Sequence, residues 1–204
     1  MEYTNVRMST SNITKIDLLR HGELKAKGIF CASPDEPLSE QGWQDLYKTT
    51  HGKKWEVIIS SDFLRCHSFA KKLAEERCVE LSVSKQFQEM DFGSWMGIPT
   101  KDIWQEEHKQ LSKLWSNPDN FIAPDGESLK NFNKRVAEGL HAQLKQHQGK
   151  SILIITHSGV IRSILTMALN ISNQSALKFN IDYAQLTRLH YYTDNEFSLQ
   201  SLGA

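Results

Sequence analysis

The sequence is poor in cysteine, has no long apolar run and carries no excess of either charge. Its three cysteines, Cys31, Cys66 and Cys78, include no CxxC pair, which argues against a disulfide framework or a cysteine-rich zinc site and fits a reducing compartment. No segment approaches the ~18 apolar residues that a membrane-spanning helix needs. Lysine plus arginine number 24, as do aspartate plus glutamate, so we expect neither a nucleic-acid footprint nor a polybasic membrane patch.

The composition is otherwise that of a globular protein. The 204 residues are 39% hydrophobic and 24% charged, close to the average of soluble domains. We therefore expect one domain with a sizeable core over residues 14–204. The start of the chain, residues 1–13, is mostly polar and lacks the apolar core of a signal peptide, which predicts a disordered lead-in and a cytoplasmic protein.

Apolar runs alternate with helical patterns along the chain. Short apolar runs predict strands, which are 15–20, 56–60, 81–83, 151–156, 186–192 and 197–201. The 3.6-residue apolar period predicts helices, which are 40–50 after Ser39, one that Asp62 caps, 99–115, 127–147 and 159–170 after Ser158. The alternation favours a three-layer α/β/α sandwich with a mostly parallel central sheet.

Two of the predicted strands end in a histidine close to a glycine. One ends in Arg20-His21-Gly22 and the other in Thr156-His157-Ser158-Gly159. In an open α/β sheet ligands bind outside the carboxyl ends of the strands, so we expect both imidazoles at that edge. Each histidine alone has a simpler interpretation, as a half-buried residue that caps backbone groups.

Arg65 lies in the first turn of a predicted helix, where the helix dipole disfavours a cation. Its guanidinium either reaches solvent or serves a bound anion, and both readings stay open at this point. Together with Arg20, His21 and His157 it would make a cationic pocket suited to a phosphate dianion. A neutral imidazole in such a pocket can act as a nucleophile.

Departure of an alkoxide would also need a proton donor. Several carboxylates lie in loops or first turns that could reach the strand ends, and the residue types alone do not rank them: Glu23, Glu89, Asp91 and Glu127.

Five segments resemble, in order and spacing, the landmarks of the histidine phosphatase superfamily, in its phosphoglycerate-mutase-like branch. They are Arg20-His21-Gly22-Glu23, Ser60-Ser61-Asp62-Phe63-Leu64-Arg65, the acid loop from Glu89 to Gly97, Pro124-Asp125-Gly126-Glu127-Ser128, and Thr156 through Arg162. The resemblance implies a metal-independent phosphomonoesterase that needs no cofactor. It also implies His21 as the phosphorylated nucleophile and Glu89 as the proton donor, with the phosphoryl group held by Arg20, Arg65 and His157.

The sequence departs from the family pattern in three places. Leu24 and the residues up to Lys27 stand where the family often has a hydroxyl residue and a phosphate-binding asparagine, Met96 replaces a glutamate, and Ser158 replaces a glycine. Lys27 either replaces the asparagine contact or points to solvent. With Ser158 and Glu127, it completes the set of residues that we expect to bind substrate.

The sequence constrains the reaction less than it constrains the fold and the site residues. Mutases of the family carry a much longer insertion than the interval between Glu89 and Glu127, which favours transfer to water. The compact Asp35-x-Pro37-Leu38-Ser39-x-x-Gly42 pattern is similar to that of α-ribazole phosphatases of cobalamin assembly, which implies α-ribazole 5′-phosphate as a substrate. A mutase-type phosphoryl transferase, a broad-specificity sugar or protein phosphatase and a non-catalytic phospho-ligand-binding module stay open. We expect a small phosphorylated metabolite as partner, with no nucleic acid or membrane and no oligomeric state indicated.

Overall fold

The computed structural model describes residues 13–31 and 33–203. In chain order its elements are β1 (Thr14–Arg20), α1 (Glu40–Thr50), β2 (Val57–Ser60), α2 (Leu64–Arg77), β3 (Glu80–Val83), α3 (Thr100–Glu106), α4 (His108–Ser116), α5 (Leu129–Gln146), β4 (Ser151–Thr156), α6 (Ser158–Ala168), α7 (Asn173–Ala176), β5 (Leu186–Tyr191) and β6 (Phe197–Leu202). Short 3₁₀ turns lie at Lys85–Phe87, Gly93–Trp95 and Pro118–Asn120. The expected lead-in, 1–13, lies outside the described residues except for its last position.

The strands form one six-stranded sheet in the order β3-β2-β4-β1-β5-β6. β3, β2, β4 and β1 are parallel, whereas β5 runs antiparallel to β1 and β6 antiparallel to β5. β4 lies between β1 and β2, and five of its six residues are buried, which explains why its sequence is apolar on both faces. The predicted mostly parallel sheet is confirmed.

Helices cover both faces of the sheet, because alternate strand residues point to opposite sides. Ile16 and Leu18 of β1 belong to a core formed with α5 and α6, which α3 and α4 join through Ile103 and Leu111. Leu19, the next residue of β1, belongs to a separate core formed with α1 and α2. The predicted three-layer α/β/α sandwich is therefore confirmed.

Two of the predicted helix caps are wrong. α2 begins after Phe63, whose side chain caps nothing, while the Asp62 carboxylate accepts hydrogen bonds from Nε2 of Gln88 at 2.8 and 3.0 Å. A tertiary partner thus takes the oxygens that could have capped the helix. Ser158 is already the first residue of α6, and His157 occupies the N-cap position without a side-chain cap bond.

Serine does cap three other helices, α1, α5 and α7, the last through Ser172. Ser39 Oγ accepts from the amide of Gly42 at 3.0 Å at the start of α1, and Ser128 Oγ accepts from the amide of Asn131 at 3.2 Å at the start of α5. The region predicted as one helix over 99–115 is two, because the backbone of Glu107, with φ −122°, leaves the helical conformation between α3 and α4. α4, α5 and α6 form much of the wall of the site.

Candidate active site

The ends of β1 and β4 bring two histidines together. The strands pair with Arg20 opposite Thr156, and the amide of His21 continues the ladder by donating to the carbonyl of Thr156 at 2.9 Å. His21 and His157 therefore leave the sheet side by side, with ring centroids 5.2 Å apart. Both imidazoles lie at one edge of the sheet, as the paired sequence pattern indicates.

His21 is held as one tautomer. Its Nδ1 lies 2.8 Å from the carbonyl oxygen of Gly22, and a carbonyl only accepts, so the proton must be on Nδ1. Burial, and then the charges of Arg65 and Arg20, lower the pKa of His21 well below its ordinary value. The ring is thus neutral at physiological pH, and Nε2 keeps its lone pair.

Arg65 faces the histidines although it lies in the first turn of α2. It is only 2% exposed, its Nη1 donates to the carbonyl of Ser33 at 2.7 Å, and its Nε donates to Nδ1 of His157 at 3.3 Å. Of the two readings left open by the sequence, the structure excludes the solvent-directed guanidinium. The buried cation instead lies at the cavity.

His157 is also fixed as one tautomer. Because Arg65 Nε can only donate, Nδ1 of His157 accepts, and its Nε2 donates to Oγ of Ser61 at 3.0 Å. Burial, followed by the charge of Arg65, lowers the pKa of His157 well below its ordinary value. His157 is 0% exposed and lies behind the cavity wall, in contact with Arg65 and the ring of His21.

Arg20 presents an unused donor. Its Nη1 donates to the carbonyl of Ile181 at 2.6 Å, and its guanidinium lies 3.9 Å from the ring centroid of Tyr183. Its Nε is buried without an acceptor among the described residues, a state that costs about 1–3 kcal/mol. Burial lowers the pKa of Arg20, but an arginine stays charged at neutral pH. A bound anion would supply the missing acceptor.

Glu89 reaches the first turn of α6. Its Oε2 accepts from the amide of Gly159 at 3.1 Å and its Oε1 from the amide of Met90 at 3.0 Å, so the carboxylate lies at a helix N-terminus, where negative charge is favoured. A Cβ on residue 159 would collide with Oε1 of Glu89. Gly159 therefore makes the room that Glu89 occupies.

Arg135 of α5 holds the loop that carries Glu89. Its Nη1 donates to the carbonyls of Gln86 at 3.0 Å and Gln88 at 2.9 Å, and its Nη2 donates to the carbonyl of Glu89 at 3.0 Å. Three backbone contacts to one guanidinium fix the direction in which the Glu89 side chain leaves the loop.

Glu127 does not reach the cavity, contrary to the expectation that it binds substrate. Its two carboxylate oxygens accept from Nη2 and Nε of Arg135 at 2.6 and 3.1 Å, and Oε1 also accepts from the amide of Asp91 at 2.9 Å. The carboxylate thus orients Arg135 instead of lining the cavity.

A cavity of about 510 Å³ opens at the strand ends. The site residues in its wall are Arg20, His21, Arg65, Glu89, Ser158 and, at the mouth, Lys27. Lys27 has a side chain that is 76% exposed, and its Nζ lies 3.4 Å from Oε1 of Glu23. This ion pair at the mouth agrees with the solvent-directed reading of Lys27.

The model of the histidine phosphatase superfamily (branch 1) matches residues 16–204. The chain belongs to this family. The five segments that resemble the family's landmarks all lie within the matched range, and four of them contribute to the cavity wall.

Three relatives show how far the similarity extends. A metal-independent phosphoserine phosphatase of Arabidopsis thaliana is 28% identical over 162 residues, which cover 76% of this chain and 68% of the relative. A bifunctional protein of Mycobacterium tuberculosis is 25% identical over 194 residues, 92% of this chain but 53% of the relative, so this chain spans about half its length. The α-ribazole phosphatase of Shigella flexneri shares the fold, with a TM-score of 0.80 at 24% identity over 93% of this chain and 96% of that one.

Arg162 and Tyr183 also lie in the cavity wall but were not among the predicted site residues. Arg162 lies four residues after Ser158 on α6, a spacing that places both on one face, and its Nε and Nη2 donate to the carbonyl of Phe179 at 3.2 and 3.0 Å. That spacing was the available signal. Tyr183, whose ring lies 5.5 Å from the ring of His21, comes from an irregular segment before β5 and has no sequence signal.

Within residues 13–31 and 33–203, no three His, Cys, Asp or Glu side chains are grouped as a metal site would require. In the same part of the chain no helix is both long and apolar enough to cross a bilayer.

Proposed function

We propose that the protein is a metal-independent phosphomonoesterase that hydrolyses a small phosphorylated metabolite through a phosphohistidine on His21. The observation that carries the proposal is the state of His21, which is neutral, with Nδ1 bound to Gly22 and Nε2 free, between Arg20 and Arg65. A lone pair held in that way can attack phosphorus. The guanidiniums can stabilise charge on the equatorial oxygens of the transition state.

The reaction would proceed in two steps. In the first, Nε2 of His21 forms a bond to phosphorus, the bond to the ester oxygen breaks, and Glu89 gives its proton to the leaving alkoxide. In the second, a water attacks the phosphohistidine while Glu89 takes one proton from it, and phosphate leaves with neutral His21 restored. The proton that Glu89 gives to the leaving group in the first step is thus returned to it by water in the second.

His157 would act through Arg65. A neutral imidazole can accept the Nε–H of Arg65 while its own Nε2–H is bound to Ser61. This fixes the guanidinium in one orientation before a ligand arrives, so that less entropy is lost when the phosphoryl group binds. The resemblance implied direct contact of His157 with phosphate, and its place behind the wall favours the positioning role.

Two substrates are supported by different observations. The similarity of the 35–42 segment to α-ribazole phosphatases supports α-ribazole 5′-phosphate. The name of the Arabidopsis relative supports phosphoserine. The short interval between Glu89 and Glu127 supports water rather than a second metabolite as the phosphoryl acceptor.

The proposal is tested by phosphate release from p-nitrophenyl phosphate in the presence of a chelator. We expect turnover by the wild-type protein and its loss in His21→Ala. The matched control is His141→Ala, because His141 lies exposed on α5, away from the cavity. Wild-type turnover in His21→Ala, or no turnover of any phosphomonoester by the wild-type protein, would overturn the proposal; the second result would favour a phospho-ligand-binding module.

A further inference from the structure

The cavity extends well past the residues that would hold a phosphoryl group. Its wall on α6 begins at Ser158 and Gly159, continues through Arg162 and ends at Thr166, all on one helix face. Eight residues of α-helix span ~12 Å. With the phosphoryl group at the start of this face, the remaining length is left for the group that carries the phosphate.

We call this remaining part the distal compartment; its wall includes Leu114, Trp115, Phe132, Asn133, Thr166 and Leu177. These residues come from α4, α5, α6 and the segment following α7, so the compartment is enclosed by the helical layer on one side of the sheet. Its wall is apolar and aromatic, with the amides of Asn133 and Asn173 and the hydroxyl group of Thr166 as its polar parts.

The charged wall residues are grouped at the other end or at the mouth. Arg162 is close enough to Glu89 and Arg20 for their charges to influence one another, and two of its nitrogens are bound to a backbone carbonyl. Glu23 and Lys27 at the mouth form an ion pair with each other. The wall of the distal compartment thus holds no charged side chain, so a carboxylate or ammonium group that enters it would lose hydration without gaining a counter-charge there, which is unfavourable.

Asn133 gives the compartment one oriented hydrogen-bonding group. The carboxylate of Asp119 accepts from Nδ2 of Asn173 at 2.6 Å, and Oδ1 of Asn173 accepts from Nδ2 of Asn133 at 2.9 Å. Because a carboxylate only accepts, this relay fixes both amides. Oδ1 of Asn133 has no partner among the described residues and is available to a donor on the ligand.

We propose that the leaving alcohol is an uncharged, predominantly apolar molecule that fills the distal compartment and donates a hydrogen bond to Oδ1 of Asn133. This rests on the phosphomonoesterase function proposed above and decides between its two candidate substrates. α-Ribazole 5′-phosphate, with an aromatic heterocycle and sugar hydroxyls, falls in this class. Phosphoserine, which would bring an ammonium and a carboxylate, does not.

The test compares three phosphate esters of primary alcohols: 3-phenylpropyl phosphate, ethyl phosphate and phosphoserine. Because burial of a phenyl group favours binding, we expect kcat/KM for the phenylpropyl ester to exceed that for each of the others by about 10- to 100-fold. Equal or better use of phosphoserine, with hydrolysis still dependent on His21, would overturn this inference alone. No hydrolysis of any ester, or hydrolysis that survives His21→Ala, would overturn the proposed function as well.

A charge introduced into the compartment provides a second test. Thr166→Arg would give a carboxylate a partner, and we expect the ratio of kcat/KM for phenylpropyl phosphate over phosphoserine to fall at least about 10-fold. Thr193→Arg, in the exposed turn before β6, is the matched control and should keep the wild-type ratio. If Thr166→Arg fails to fold, Trp115→Ala replaces it, since Trp115 is half exposed; there the phenylpropyl ester should lose its advantage over ethyl phosphate. If the variant that folds keeps the wild-type ratio of kcat/KM values for its pair of esters, the inference is overturned.

Discussion

The strand ends that carry Arg20 and His21 and the loop that carries Glu89 are held in place by different kinds of bond. His21 continues the sheet ladder through its amide and is oriented by the carbonyl of its own neighbour, Gly22. The Glu89 loop lies outside the sheet and is held largely through side chains, among which the guanidinium of Arg135 binds three of its carbonyls.

This difference indicates which substitutions should damage which step. Backbone bonds at the strand ends do not depend on side-chain identity, so substitutions there should affect the phosphoryl group directly and for every ester. A substitution of Arg135 should instead displace the proton donor. Its effect should depend on how much the leaving group needs a proton.

The largest loss of activity is expected for Arg65→Lys, which changes a residue proposed to hold the phosphoryl group. Lysine keeps the charge but loses the forked donors and the bond to His157, and we expect kcat/KM to fall about 10²- to 10³-fold for all esters alike. Arg77→Lys, in the last turn of α2, is the control. Steady-state kinetics on ethyl and p-nitrophenyl phosphate measure the effect; a loss confined to one of the two esters would contradict the assignment.

The next largest effect is expected for Arg135→Leu, which tests the loop that carries Glu89. Without the guanidinium the loop is free to move Glu89, and kcat for ethyl phosphate should fall about 10- to 100-fold. p-Nitrophenolate leaves without protonation, so kcat for p-nitrophenyl phosphate should change much less. Lys134→Leu removes an exposed neighbouring cation and should leave both rates unchanged. Equal losses on both esters in Arg135→Leu would mean that Arg135 has only a general structural role.

Gly159→Ala should mimic this loss on a smaller scale. The added Cβ must push the Glu89 carboxylate away, and we expect a loss of about 10-fold in kcat for ethyl phosphate. The sharper measurement is a double-mutant cycle with Glu89→Ala. In that background the three atoms nearest to the added Cβ are gone, so the alanine at 159 should have little further effect; additive losses would show that Gly159 acts in some other way.

The smallest expected effect is that of pH on the free energy of unfolding. Burial lowers the pKa values of His21 and His157 below the ordinary 6.5, so between the folded and unfolded values the unfolded chain binds more protons. The free energy of unfolding should then rise with pH up to about 6.5 and gain nothing from these groups above it, by at most about 1.4 kcal/mol per pH unit for each histidine. Thermal melts should show this rise, and His157→Asn should reduce it. An NMR titration of His21 with a midpoint at or above pH 6.5 would contradict it.

The placement of the site residues at the strand ends can be predicted well from the sequence. Apolar runs that end in His21 and His157 mark two strands, and parallel pairing at the centre of a sheet places their carboxyl ends at one edge. The burial of Arg65 also has a local signal, because a cation at a helix N-terminus breaks a local rule and such positions tend to be functional.

The contacts that hold the Glu89 loop could not be predicted in the same way. Arg135 binds carbonyls that lie 46 to 49 residues earlier in the chain, and no local pattern encodes such contacts. Glu127 was expected at the substrate because its carboxylate lies in a family motif, whereas the folded chain gives it to Arg135. Asp62 was likewise expected to cap α2, but its carboxylate binds Gln88 instead, because a tertiary partner can override a local preference.

The account depends most on covalent participation of His21, and a phosphoryl-trapping experiment tests it directly. The wild-type protein is mixed with labelled p-nitrophenyl phosphate, quenched in alkali, where phosphohistidine survives, and digested with trypsin. We predict one label on the peptide of residues 21–25, lost in His21→Ala. Turnover without any label, or with the label on the peptide of residues 151–162 that contains His157, would contradict the mechanism.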